Sequence, residues 1–398
     1  MSLLFSHLAS QFTSASPTRV FDKASRDLAA TGKPVLFFTL GEPDFATPKN
    51  IKRAAVTAIK EDFTHYTNYQ GIAELRQAVA DKLKRDNKII CSPENVLITA
   101  GAAEALFLTF QCLLNKGDEV IFLTPCWPTF ISSAKTTGAI PVIVQCSEEN
   151  NFEPKIENIR NAITTNTKVI VINSPSNPTG AMLSEKTIRQ IVELCKEKNL
   201  WLVSDEIYEK IIYGPKHFSP ASIYENVVTI NGVSKAYSMT GWRIGFAAGP
   251  VNLISAMSAY SSIVIGNATS LSQKAALEAL TGPQGSVNKM KAEFRKRRDL
   301  IVKLINEVPG ISVAPPKGAF YIFPNVSQLF GKKTPTGKIL QSSIDVSEYF
   351  LNEAYIATVP GKPFGSDNHI RFSYACSQEQ IVDGMERIKK AVGKLALT

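Results

Sequence analysis

Cysteine, histidine and long apolar runs are scarce in this chain, and each shortage removes a class of function. Six cysteines in 398 residues, at 91, 112, 126, 146, 195 and 376, form no CxxC pair. They read as reduced thiols rather than as a disulfide framework or a zinc ribbon. The four histidines, His7, His65, His217 and His369, show no HExxH arrangement and no cysteine at ligand spacing, so no metal site is expected. No run reaches the roughly 20 apolar residues of a membrane helix. The start, Met1-Ser2-Leu3-Leu4-Phe5, lacks the basic region and long apolar core of a secretory signal, which predicts a cytoplasmic protein. The triplets at Asn267 and Asn325 then carry no glycosylation message. Dinucleotide, P-loop and serine-hydrolase glycine motifs are missing as well.

What is present is an ordinary globular composition, 44% hydrophobic and 20% charged. The length allows two or three domain-sized units. The net charge of +9 is dispersed. Its densest cluster, Arg295-Lys296-Arg297-Arg298, reads as a solvated helix face, and no nucleic-acid motif accompanies it.

Along the chain, Val35–Leu40 reads as a strand ending in the turn Gly41-Glu42-Pro43-Asp44, and Ile72–Asp86 as a helix. Alternation then sets in. Strands are expected at Val96–Thr99, Glu119–Leu123, Ile140–Gln145, Lys168–Asn173, Leu200–Ser204, Val227–Ile230 and Ile244–Ala248, with helices at Ala102–Leu114 and Ser184–Lys198. Buried strands interleaved with helices predict an α/β fold around a mostly parallel sheet. After about residue 290 a basic helix, the strands Phe320–Phe323 and His369–Tyr374 and a final helix predict a smaller α+β domain. The expected division is an N-terminal arm and part of the small domain in 1–46, a large domain in 47–290 and a small C-terminal domain in 291–398.

In such sheets ligands gather beyond the carboxyl ends of the strands, and the unusual residues fall there. Lys235 stands past Val227–Ile230 and the Asn231-Gly232 turn, with Arg243 shortly after. A lysine so placed suits imine chemistry on an anionic cofactor. Asp205 follows Trp201-Leu202-Val203-Ser204; a buried carboxylate there needs a cation, such as a protonated pyridine nitrogen. Tyr208 and Asn177 could bond a ring oxygen, and Trp127 could lie on the ring. The Gly101-Ala102-Ala103 turn offers backbone N–H groups to a phosphate, Arg243 could grip the same phosphate, and Arg371 a substrate carboxylate. Taken singly, each also has an ordinary explanation: a solvated lysine, a turn-capping aspartate, a core tryptophan, arginines paired at the surface.

Five stretches carry a resemblance to the class I and II aminotransferases, pyridoxal-phosphate enzymes of fold type I, nearest their bacterial aspartate aminotransferase-like branch. They are Gly41-Glu42-Pro43-Asp44-Phe45, Asn173-Ser174-Pro175-Ser176-Asn177-Pro178-Thr179-Gly180, Val203-Ser204-Asp205-Glu206-Ile207-Tyr208, Ser234-Lys235 through Arg243-Ile244-Gly245, and Ile370-Arg371-Phe372-Ser373-Tyr374-Ala375. The resemblance runs nearly end to end. It implies that Lys235 holds pyridoxal phosphate as an imine and shuttles the substrate proton. It implies Asp205 on the ring nitrogen, Tyr208 and Asn177 on the ring oxygen, Trp127 on the ring face, and Arg243 with the Ala102 and Ala103 amides on the phosphate. Arg371, Asn177 and the Gly41 backbone would take the substrate's α-carboxylate, with Thr18 near its side chain. Tyr66 would reach the phosphate in a neighbouring subunit, which implies a homodimer.

The departures bear on substrate. Ala103 stands where aspartate-specific members of this branch carry a lysine, and no arginine lies between Arg243 and Arg295 to serve in trans. Arg19 or Lys23 could substitute. Gly232 stands where some relatives have a phosphate-binding serine, and Ser234 is a possible replacement. The expected activity is ping-pong amino transfer between an aspartate- or glutamate-like L-amino acid and a 2-oxo acid, without nucleic-acid or membrane partners. Aromatic, alanine-like or prephenate substrates remain open, as do β-elimination and cyclopropane-forming chemistry on the same fold. A regulator fused to a DNA-binding domain would need a winged helix, for which the residues before Gly41 leave no room.

Overall fold

Apolar runs that do not alternate with polar residues must be covered on both faces, and β5 (Thr167–Asn173) shows how. Val169 and Val171 enter one core with Leu106, Phe110 and Ile254, whereas Ile170 and Ile172 enter another with Ile188, Ile191 and Leu194. The computed structural model describes residues 17–396. They fall into two compact units, one holding the described residues up to Gly41 with Lys296–Pro315 and 320 onward, the other Glu42–Arg295 with Pro316–Ala319.

In chain order the strands are β1 (Leu36–Phe37), β2 (Val96–Thr99), β3 (Glu119–Thr124), β4 (Ile140–Gln145), β5, β6 (Trp201–Asp205), β7 (Val227–Gly232), β8 (Gly245–Ala248), β9 (Tyr321–Ile322), β10 (Ile356–Ala357), β11 (Val359–Pro360) and β12 (Ile370–Ser373). The larger unit carries a seven-stranded sheet in the order β2-β8-β7-β6-β5-β3-β4. Its neighbours are parallel except β8, which runs antiparallel to both β2 and β7. This is the expected α/β architecture with a mostly parallel sheet. In the smaller unit β1 pairs with β10, and β11-β12-β9 form a three-stranded antiparallel sheet.

Several elements differ from the sequence expectation. The strand at Val35–Leu40 shrinks to the two residues of β1, because only Ile356–Ala357 lies alongside. Asp205 is itself the last residue of β6. The helix expected over Ile72–Asp86 is α-helical only at Ala73–Lys82 and closes as a π-helical turn, Leu83–Asn87, before Lys88 at φ 62°. The helices Pro128–Lys135, Ile156–Ala162, Val251–Val264 and Ser270–Thr281 were not anticipated. Ser184 caps Glu185–Lys198 as its sequence suggests, its Oγ accepting from the Thr187 N–H.

Candidate active site

The strand ends of the larger unit meet at one edge of its sheet. Asn173, ending β5, pairs with Asp205, ending β6, and Asp205 pairs with Ile230 just before the end of β7. Because β8 is reversed, its first residue, Gly245, lies opposite both Gly232 and Thr99. The segments after β2, β5, β6 and β7 and before β8 therefore issue from the same edge, carrying Gly101, Asn177, Tyr208, Lys235 and Arg243.

Asp205 is buried, one carboxylate oxygen accepting from the Ile207 N–H at 3.0 Å. Burial is the main force on its carboxyl and lifts the pKa to about 7; the Ile207 N–H and Lys235 pull it down, and Glu206 adds to the rise. Half-buried Lys235 places Nζ 5.9 Å from the ring centre of buried Tyr208. The Asn177 N–H donates to Asn173 Oδ1 at 2.9 Å, and Asn173 Nδ2 donates to the Asp205 carbonyl at 3.1 Å. Asn173, which the sequence marked only as part of a motif, thus fastens the Asn177 loop to the end of β6. Half-buried Trp127 opens the Pro128–Lys135 helix and meets Phe130 edge-on at 5.5 Å.

Beside this group lies a cup shaped for an anion. Gly101 has φ 88°, and a Cβ there would sit 2.3 Å from Arg243 Nη2. A Cβ on Gly245 would strike the Ala102 backbone nitrogen at 2.4 Å. These glycines let the Ala102–Leu113 helix start directly against β8. Arg243, itself at φ 54°, donates from Nη1 to the Thr240 carbonyl at 3.0 Å and from Nη2 to the Ala100 carbonyl at 3.2 Å. The N–H groups of Ala102 and Ala103 open the helix and meet no backbone carbonyl among the described residues. A helix N-terminus beside a guanidinium favours phosphate.

Glu104 was not anticipated. Its carboxylate accepts from the Ala100 N–H and, at 2.8 Å, from Ser261 Oγ. Burial raises its pKa against those two bonds. Its only sequence signal was an acid in a helix's first turn. Together the cup, the buried Asp205 carboxylate and the amine near Tyr208 fit a phosphate-bearing pyridine with a reactive carbonyl. Gly101→Ala tests the cup. The added methyl drives the Arg243 head away and meets a positive φ, so cofactor affinity should fall about tenfold while unfolding shifts by roughly 1 kcal/mol. Fluorescence titration and thermal unfolding check both effects.

In the smaller unit Arg371 lies on β12, buried, with Nη2 donating to the Thr39 carbonyl at 2.7 Å and its guanidinium over the rings of Tyr321 and Phe364 at 4.7 and 5.2 Å. A Cβ on Gly41 would touch Tyr321 Oη at 3.4 Å. Thr18 belongs to the Pro17–Ala30 helix, but its side chain and that of Arg19 lie outside the described residues. Lys23 is exposed and ion-paired with Asp27 at 2.5 Å. Ala103 is exposed, and Tyr66 is 91% exposed.

A sequence model of the family described as Aminotransferase class I and II matches residues 33–388. The probable aspartate/prephenate aminotransferase of Aquifex aeolicus (strain VF5) is 41% identical over 387 residues, 96% of each chain. The aspartate aminotransferase of Bacillus sp. (strain YM-2) is 41% identical over 382 residues, 95% of this chain and 96% of that one. The crystal structure of the aspartate aminotransferase from Rhizobium meliloti superposes with a TM-score of 0.96 at 36% identity, covering 99% of this chain and all of the other.

Proposed function

The chain belongs to the class I and II aminotransferases, and from that premise we propose that it moves the amino group of aspartate or glutamate to a 2-oxo acid at the carboxyl edge of the larger unit's sheet. Transamination and dependence on pyridoxal phosphate come with the family. When bound, the cofactor supplies a carbonyl that links to amines and a pyridine ring that accepts electrons. The chain's own groups do the rest. Asp205 faces the ring nitrogen and holds a proton there. Tyr208 and Asn177 bond the ring oxygen, and Trp127 covers a face. Arg243 and the Ala102 and Ala103 N–H groups hold the phosphate. Lys235, with its amine free, would take the proton from the substrate's Cα and deliver it to the cofactor's former carbonyl carbon, across the intervening nitrogen. Arg371 and the Gly41 backbone, both in the smaller unit, are assigned to the α-carboxylate.

The observation that carries this reading is the meeting of Asp205, Lys235 and Tyr208 at neighbouring strand ends, beside a cup that only glycine at 101 and 245 leaves open. Aspartate as donor follows the names of the relatives. A second reading, an aromatic substrate without a side-chain carboxylate, is favoured by Ala103, which offers a methyl group and no cation. Single amino acids added to the cofactor-loaded enzyme separate the two. Aspartate and glutamate should discharge the absorption of the Lys235-bound cofactor fastest; a faster response to tyrosine or phenylalanine transfers the assignment.

A homodimer fits the same picture. Tyr66 is 91% exposed and Ile263 85% exposed, and their segments are joined by the Thr67 N–H donating to Asn267 Oδ1 at 3.3 Å. An apolar, aromatic surface of this kind suits a second copy. Sedimentation should show twice the chain mass, and Ile263→Asp should lower both the dimer fraction and the activity. Among the described residues no helix is long and apolar enough to cross a membrane, and a cytoplasmic location is inferred with the reaction.

A further inference from the structure

The turn after β6 has two faces, and the proposed cofactor site uses one. The Glu209 N–H donates to the Glu206 carbonyl at 2.9 Å and the Ile211 N–H to the Tyr208 carbonyl at 2.8 Å. In so tight a turn residues three apart stand over one another. Asp205 and Tyr208 therefore share the face toward Lys235, and Glu206 and Glu209 share the opposite one.

That rear face is a buried polar cluster. Glu206 accepts from Ser204 Oγ at 2.9 Å and Ser219 Oγ at 2.6 Å on one oxygen. Its other oxygen accepts from Asn87 Nδ2 at 2.9 Å and lies 2.8 Å from His217 Nε2. Glu209 accepts from the same Asn87 amide at 2.6 Å and is ion-paired with Lys82, whose Nζ also donates to Asn87 Oδ1 at 2.7 Å. Glu206, Glu209 and His217 bring potential ligand atoms within 4.8 Å of one another. The Lys82 ammonium, however, already serves Glu209 as counter-ion, so the cluster works by balancing charge. All four ionisable side chains are at most 8% exposed. With a neutral imidazole, two carboxylates and one ammonium leave a net negative charge buried directly behind Asp205. Such a charge is costly and needs a second cation.

We propose that His217 is a positioning residue for the cofactor site: as an imidazolium paired with Glu206, it neutralises the rear of the turn and thereby fixes the place of Asp205 and Tyr208 and the charge felt at Asp205. This rests on the reading of Asp205 and Tyr208 as ring-contacting groups. Burial alone would drive the His217 proton off, and Lys82 works the same way. The Glu206 carboxylate at Nε2, aided by Glu209, outweighs both and raises the pKa above the ordinary 6.5. Glu209 in turn is held below the usual carboxylate range against its burial, by Lys82, His217 and Lys210. Lys210 is tied to Asp86 at 2.6 Å, as is Arg85 at 2.9 Å. Tyr237, whose phenol is pushed up by burial and by Glu209 and Asp86, donates to Gln284. The sign follows: a raised imidazole pKa stabilises the fold fully below about 6.5 and loses that contribution as pH rises through the folded value.

The test has two parts. Histidine ring NMR on the wild-type holoenzyme, with only four histidines to assign, should show His217 keeping its proton above the ordinary 6.5. Titration at or below that value overturns the proposal without need of any variant. The second part compares cofactor-loaded His217→Gln, Glu206→Gln/His217→Gln and Asp205→Asn. Loss of the imidazolium should weaken pyridoxal phosphate about tenfold and raise the pH midpoint of the bound cofactor's absorption by about half a unit or more. Removing the Glu206 charge as well should restore both. A purely packing role predicts instead that the double variant is worse than the single, and that result sinks the proposal. If Asp205→Asn leaves affinity and absorption unchanged, the reading of Asp205 falls and takes this role with it. If Asp205→Asn changes them and His217→Gln does not, the His217 proposal alone is overturned.

Discussion

Replacing Lys235 by alanine is expected to lower transamination by about 10⁴-fold, the upper range for loss of a positioned proton-transfer group. The fold should survive, because Lys235 is only half-buried in a turn whose backbone is held independently. The Tyr237 N–H donates to the Val233 carbonyl at 3.2 Å and the Met239 N–H to the Ser234 carbonyl at 3.0 Å. The loss should fall on turnover, since the phosphate cup of Arg243, Ala102 and Ala103 is untouched and still retains the cofactor. Borohydride treatment followed by peptide mass mapping gives a readout independent of rate. The wild-type enzyme should carry the cofactor fixed on the Lys235 peptide, and the variant should carry none. Activity within tenfold of wild type, or covalent attachment at another lysine, would remove Lys235 from its role.

How much of this was legible beforehand depended on the range of the interaction concerned. The parallel core was readable because Val169–Ile172 must bury both faces, and covering both faces requires helices on each side. The helix Val251–Val264 was missed because its face against the sheet, Leu253, Ile254 and Met257, is followed by exposed Ile263 and Val264, which blur the period. The antiparallel direction of β8 was not readable, since a buried run looks the same from either end. Yet that reversal brings Arg243 to the edge where β7 delivers Lys235.

Motif and strand end single out Asp205, Asn177, Lys235 and Arg243 in the sequence, and the fold brings the segments that carry them to one edge of the sheet. Those that act through a distant partner are not singled out there. Glu104 meets Ser261, and His217 meets Glu206, which also accepts from the far-off Asn87 and shares it with Glu209 and Lys82. Nothing local distinguishes such residues from a surface acid or a loop histidine, because their meaning lies in which charges the fold places beside them.

Asp205→Asn should separate stability from function. In the cofactor-free chain the Asp205 carboxyl is buried and its pKa stands at about 7 against an ordinary 3.8, with burial the chief cause. For an acid whose folded pKa is raised, the stability present below the unfolded pKa is lost as pH rises through the folded one. Ionised Asp205 is thus a cost to the cofactor-free fold above neutrality, about 4 kcal/mol at most from the size of the shift. Asparagine removes the charge and keeps an oxygen to accept the Ile207 N–H. The cofactor-free variant should therefore unfold at a higher temperature than cofactor-free wild type at pH 8, and the advantage should vanish toward pH 4. With pyridoxal phosphate bound the order should reverse, because only the carboxylate meets a positive ring nitrogen. Turnover should drop about 100-fold as the ring loses the partner that holds its proton. Thermal unfolding with and without cofactor at pH 5 and pH 8, beside kcat/KM, reads all of this in one series. Equal cofactor-induced stabilisation of wild type and variant at pH 8 would show that Asp205 does not face the ring. The expected inequality would mean that the site stores, in one buried carboxylate, a destabilisation that cofactor binding relieves.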